Sequence, residues 1–290
     1  MSPDGSTLVA ARTMGMLEVW DVNGESVSQR FSKEGGRSPR FRARDGLVLV
    51  MGDSLIPWNL SGRPDPTTGW KEHRQPIVTL YTTPGGEFAA TMDREGSVVV
   101  WDLEAGRKAG QLKLDPRFKQ SLTVSPKGSL LAASNTTGDV AVWNVESGER
   151  IREIPRAKGA KPFVKLSFNT TETWLVGAEQ IGGLSLFDLE AKSGSLKVKA
   201  VEFEHPIVPI EVRFLPDGKR VLAADAGGDI FVWDLESGES TVACKTGISP
   251  LEAFAMNSAG TQFAAGNSES TEVVIFSLET GKPIKRLDAK

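Results

Sequence analysis

Residues able to do chemistry are scarce and scattered in this chain. There are two histidines, His73 and His205, and one cysteine, Cys244. A lone cysteine excludes an internal disulfide framework and a thiolate metal cluster, and two distant histidines make a poor start for a metal or heme site. No nucleophile elbow, phosphate-binding glycine loop or dinucleotide fingerprint occurs in a strand-to-helix context. Gly85-Gly86 and Gly227-Gly228 sit among turn signals, where glycine serves the bend. The carboxylates expected on inward-lying strands are chiefly Glu211 and Glu252. The expectation is therefore a non-catalytic protein without cofactor or metal. Lys+Arg 34 against Asp+Glu 37 leaves a formal charge of -3, which gives no bulk attraction to nucleic acid. At 39% hydrophobic and 24% charged over 290 residues, the chain can bury a large core. No apolar run approaches the roughly 18 residues of a membrane helix.

The elements that must position these residues repeat. An aromatic, a polar and an apolar residue recur as Trp20-Asp21-Val22, Trp58-Asn59-Leu60, Trp101-Asp102-Leu103, Trp143-Asn144-Val145, Phe187-Asp188-Leu189, Trp233-Asp234-Leu235 and Phe276-Ser277-Leu278. The steps between the aromatics run from 38 to 46 residues. Short β-branched and apolar stretches precede each one, after turn signals such as Ser2-Pro3-Asp4-Gly5 and Leu215-Pro216-Asp217-Gly218. Such segments read as strands. In the sixth unit they are expected at Val208–Phe214, Lys219–Asp225, Ile230–Asp234 and Glu239–Lys245. Four strands at this period match a propeller blade.

The segments Val100-Trp101-Asp102-Leu103 and Val232-Trp233-Asp234-Leu235, with the Ser-Pro-Asp-Gly turns, resemble the WD-repeat β-propeller family in the style of its bacterial members. The resemblance covers essentially all of 1–290 and implies an all-β, seven-bladed propeller of four-stranded antiparallel blades. The units fall near 1–33, 34–72, 73–114, 115–158, 159–204, 205–246 and 247–290. Met1 takes the last position of an inner strand, so blade 1 is expected to lack that strand, and the natural protein is expected to begin earlier. Pro57 and Arg63-Pro64-Asp65-Pro66 predict a frayed outer strand in the second blade; the alternative is that Thr67–Glu72, including Trp70, forms that strand. The family staples its blades with a His, a Ser/Thr, a hairpin Asp and the Trp. His73 and His205 occupy the His position, and Asp93 and Asp225 stand where the resemblance implies Ser/Thr. This predicts hydrogen-bonded pairs His73–Asp93 and His205–Asp225, with apolar packing elsewhere.

In a propeller, loops leading into inner strands cross one face, here called the top. They carry Arg37, Arg40, Lys71, Arg74, Arg117, Lys119, Arg156, Lys158, Lys161 and Lys245 against Glu34, Glu72, Asp115 and Glu204, while the turns after the aromatics are mainly acidic. The expectation is a top face that steers an acidic protein segment to the channel mouth. Arg40, Arg42, Tyr81, Lys165 and Arg213 come from inner strands and could line that mouth, and Phe118, flanked by Arg117 and Lys119, is the first candidate for an exposed anchor. The partner expected is a protein or further domains of a longer chain, bound by a monomeric, cytoplasmic ring. Nucleic acid or another polyanion on the basic loops is the alternative, disfavoured because no aromatic–basic interleaving for base stacking is present.

Overall fold

The computed structural model describes all residues except 12–15, 25–26, 33–36, 43–45, 61–68, 157–158, 181–182, 192–198, 202–207 and 289–290. These form an all-β, propeller-like arrangement of antiparallel sheets. The first sheet holds β1 (Thr7–Ala11), β2 (Met16–Asp21) and β3 (Val27–Ser32), and the second β4 (Arg37–Arg42), β5 (Gly46–Met51) and β6 (Ser54–Asn59). Four-stranded sheets follow. The third is β7 (Ile77–Thr82), β8 (Phe88–Asp93), β9 (Ser97–Asp102) and β10 (Arg107–Lys113). The fourth is β11 (Ser121–Val124), β12 (Leu130–Ser134), β13 (Val140–Asn144) and β14 (Arg150–Ile154). The fifth is β15 (Phe163–Phe168), β16 (Trp174–Glu179), β17 (Leu184–Asp188) and β18 (Lys199–Val201). The sixth is β19 (Pro209–Phe214), β20 (Arg220–Asp225), β21 (Asp229–Asp234) and β22 (Ser240–Lys245), within a residue of the expected bounds. The seventh is β23 (Ala253–Met256), β24 (Gln262–Gly266), β25 (Glu272–Ser277) and β26 (Pro283–Asp288).

Each sheet is sandwiched between neighbours, so its middle strands bury both faces. Consecutive Val98, Val99 and Val100 are all fully buried, which explains why the sequence runs apolar rather than alternating. Apolar clusters join successive sheets: Leu17 with Leu47, Leu49 and Trp58, then Val48 and Leu55 with Val99 and Trp101, and so on. The last sheet packs on the first through Ala264, Ile275 and Leu287 against Leu8 and Trp20. At the same seam Ser258 N–H and Oγ both donate to Pro3 O at 2.8 Å. The turns are built alike. Ser125 N–H bonds Leu130 O at 2.9 Å, Leu130 N–H bonds Ser125 Oγ at 2.9 Å, and Gly128 closes the turn at a φ of 73° that favours glycine. Ser2, Thr7 and Gly5 reproduce these bonds in the first sheet.

The second sheet, the one expected to be frayed, has three strands among the described residues. Arg63–Pro66 lie outside those residues. In place of a fourth strand, Trp70 makes a single bridge to Leu55, with N–H···O distances of 2.8 and 3.0 Å, and stacks on Trp101 with centroids 5.7 Å apart. Pro57 is tolerated because alternate residues of β6 face alternate sides. Leu55 faces out to Trp70, so Pro57 faces out too, and its missing N–H costs no ladder bond.

Candidate functional site

The third sheet carries a buried hydrogen-bonded chain. Trp101 Nε1–H donates to Thr91 Oγ1 at 2.8 Å, Thr91 Oγ1 and His73 Nε2 share a hydrogen at 2.7 Å, and His73 Nδ1 meets Asp93 Oδ2 at 3.2 Å. Asp93 also fixes its hairpin, Oδ1 accepting from Glu95 N–H at 3.0 Å and Ser97 N–H at 2.9 Å. The expected His73–Asp93 pair is present, but the position assignment needs correcting. Asp93 does the work of the hairpin aspartate, and Thr91, which the sequence reading missed, supplies the hydroxyl. The spacing that finds Thr91 is ten residues before the aromatic. The same position holds Ala133, Gly177 and Ala223 in the next three sheets, so no hydroxyl is available there. His205 lies outside the described residues. Asp225 Oδ1 accepts from Asp229 N–H at 2.8 Å, the same hairpin duty.

Phe118 overturns the expectation of an exposed anchor. It is fully buried, with its ring edge-on to Trp143 at 5.5 Å and 83°, between Met92, Val98, Leu112 and Leu122. The reason is positional: Phe118 stands 25 residues before Trp143, near where His73 stands 28 before Trp101, so an apolar ring takes the place of the staple. The fifth sheet also sets a ring on its aromatic, Phe163 edge-on to Phe187 at 5.5 Å, but from the inner-strand position that Ile77 holds in the third sheet. Phe163 Cδ1 would lie 2.6 Å from a Cβ at Gly177, so that glycine is the room the ring needs.

The top-face cations divide into spent and unspent. Arg117 holds Asp115 through Nε at 3.0 Å and Nη2 at 2.9 Å, and that bonded guanidinium keeps the Asp115 carboxyl below its ordinary range. Lys119 Nζ donates to Arg94 O at 3.1 Å. Arg156 is a tie between sheets: it bonds Glu179 Oε1 at 2.5 Å and Ser185 Oγ at 3.0 Å, and lies 4.8 Å from the Phe163 ring centroid. Lys71 pairs with Asp53 at 3.1 Å. The expected positive field is thus blunted by acids of the same face. Arg74 and Lys161 are exposed with no ion pair among the described residues. Lys158 and Ala157 lie outside them.

The inner strands bring other predicted residues together. Arg40 is exposed and Arg42 half-buried, both on β4. Tyr81, the single tyrosine, is half-buried on β7, and burial pushes its phenol above the ordinary value. Glu211 and Arg213 of β19 and Arg40 of β4 all act on that phenol, although the strands belong to three sheets. Arg213 Nε stands 3.8 Å from Glu211 Oε1, both side chains being mostly buried. Lys165, on β15, is half-buried. Cys244 is buried at the sheet seam, its Sγ–H meeting Gly281 O at 3.2 Å. Burial, then the Asp229 charge, pushes the thiol up, away from reactivity. Among the described residues no three His, Cys, Asp or Glu side chains gather as a metal site, and no helix is long and apolar enough to cross a membrane. No protein-family model matches the chain, and a search of curated proteins returns no match.

Proposed function

We propose that the chain is a WD-repeat propeller in which each of the seven sheets is one blade, and that it serves as a non-catalytic platform gripping an acidic segment of a partner protein, or of a sister domain, over its top face. The single observation that supports this reading is the grouping of Arg40, Tyr81 and Arg213 at the inner strands, below a loop face whose Arg74 and Lys161 are exposed and unpaired among the described residues. The Trp-Asp repeats and the Asp93–His73–Thr91–Trp101 chain favour the WD-repeat assignment. Arginine and aromatic side chains are common interface anchors, and charge complementarity mainly sets approach and specificity.

The test is the affinity of a fluorescent acidic peptide for the intact chain as ionic strength rises. Arg74→Glu with Lys161→Glu should weaken binding about tenfold at low salt and flatten the salt dependence. Binding unchanged by the double reversal contradicts the reading. Tighter binding of single-stranded DNA, with a steeper fall in salt, would replace it with the polyanion alternative.

A further inference from the structure

Strand register reveals a level of the channel that no sequence motif marks. Opposite equivalent residues of the second strands stand Arg40 (against Val48), Tyr81 (Ala90), Thr123 (Ala132), Ser167 (Val176) and Arg213 (Leu222). Each of those second-strand residues follows the one paired with its sheet's repeat aromatic, as Ala89 pairs with Trp101 and Val221 with Trp233. The five side chains therefore lie at one height around the axis and are all polar, while the seventh sheet places Ala255 there. Burial raises the Tyr81 phenol, and Thr123 from the next sheet, Arg213 from the sixth and Arg40 from the preceding one also act on it.

The level is not internally satisfied. Thr123 is fully buried, and its Oγ1, beside the phenol, makes no well-formed hydrogen bond; the buried Arg213 Nε makes none either. Among the described residues the ion pair of Arg213 is with Glu211, two residues earlier on the same strand, at 3.8 Å and beyond hydrogen-bond reach. Arg40 spends one N–H on its own chain, Nη1 to Pro39 O at 3.3 Å, and is otherwise exposed. Two guanidiniums and a phenol, with the Thr123 hydroxyl beside it, suit a planar oxyanion, because guanidinium N–H groups bind carboxylate oxygens in pairs.

We infer that this level binds one carboxylate, delivered by an acidic peptide side chain that enters the channel from the top face. The inference rests on the platform reading and adds the residues and the chemical group that would be held. Arg40 and Arg213 clamp the carboxylate oxygens from opposite sides, and Tyr81 and Thr123 donate to what remains.

Because Tyr81 is the chain's one tyrosine, tyrosine labelled with 13C at Cζ reports on this level alone. Hexaglutamate should shift that resonance saturably. Arg213→Gln and Arg40→Gln should each weaken the titration about tenfold, the scale of one charge-assisted hydrogen bond, while Lys282→Gln on the opposite face should leave it within twofold. Arg40 is exposed, so its variant keeps the test valid even where the Arg213 variant folds poorly. Inorganic phosphate is the comparator. Phosphate moving the resonance as tightly as the peptide would make the site one for free anions and overturn the peptide assignment. Peptide binding that leaves the resonance in place would overturn the channel site while sparing the top-face platform, and no binding of either probe would overturn both.

Discussion

Phe118→Ala should cost about 3–5 kcal/mol of folding stability, the range for deleting a fully buried phenylalanine, measured by equilibrium denaturation. The ring shares one buried cluster with Met92, Val98, Leu112, Leu114 and Leu122 and meets Trp143 edge-on, so its removal would leave a cavity in the seam between the third and fourth sheets. Arg117→Ala next door removes an exposed, solvent-screened pair with Asp115 and should leave stability nearly unchanged. Neighbours in sequence are thus expected to differ severalfold in effect. A Phe118→Ala protein of unaltered stability that had lost partner binding would restore the exposed-anchor reading.

Thr91→Val should destabilise by about 2–4 kcal/mol, since the isosteric change keeps the packing but strips two buried polar groups of their partner at about 1–3 kcal/mol each. Those groups are the Trp101 indole N–H and His73 Nε2, both otherwise sealed from water. His73→Ala belongs to the same chain, so the double variant should fall well short of the sum of the two singles. Additive losses would mean that the hydroxyl and the imidazole act independently.

The architecture was legible because its signals are local. Seven aromatic landmarks, turn residues at fixed offsets and β-branched runs between them each follow from backbone preference and burial. Five of the sheets have four strands, and the sixth falls where its apolar runs place it. Pro57 misled only in part, since whether a proline costs a bond depends on which side of the strand its nitrogen faces, a matter of register. Phe118 was misread because two flanking cations suggested solvent. Yet Arg117 and Lys119 reach away, to Asp115 and to the Arg94 carbonyl, while the ring turns inward. Comparing its offset with that of His73 would have placed it in the core.

The channel level was legible only in its members. Arg40, Tyr81 and Arg213 were named as inner-strand residues, but not as one level. Tyr81, Thr123, Ser167 and Arg213 each stand 20 residues before their repeat aromatic, whereas Arg40 stands 18 before Trp58 and joins the level only through the register of β4 on β5. Thr123 and Ser167 carry no charge or motif, so nothing but that shared offset draws attention to them. The face charges show the reverse limit. Tallying Lys and Arg on loops overstated the field, because Asp115, Glu179 and Asp53 neutralise Arg117, Arg156 and Lys71 across short distances.

Faces, mouth and channel all presuppose that the last sheet closes on the first. Cysteines placed at Pro3 and Ser258, 255 residues apart yet joined there by hydrogen bonds, test that closure directly. Cys244 is buried and should not compete. Under mild oxidation the native protein should form the crosslink spontaneously and gain about 3–5 kcal/mol against unfolding, as expected for so long a closed loop. Persistently free thiols at both positions in a natively folded protein would contradict the closed ring and everything placed on it.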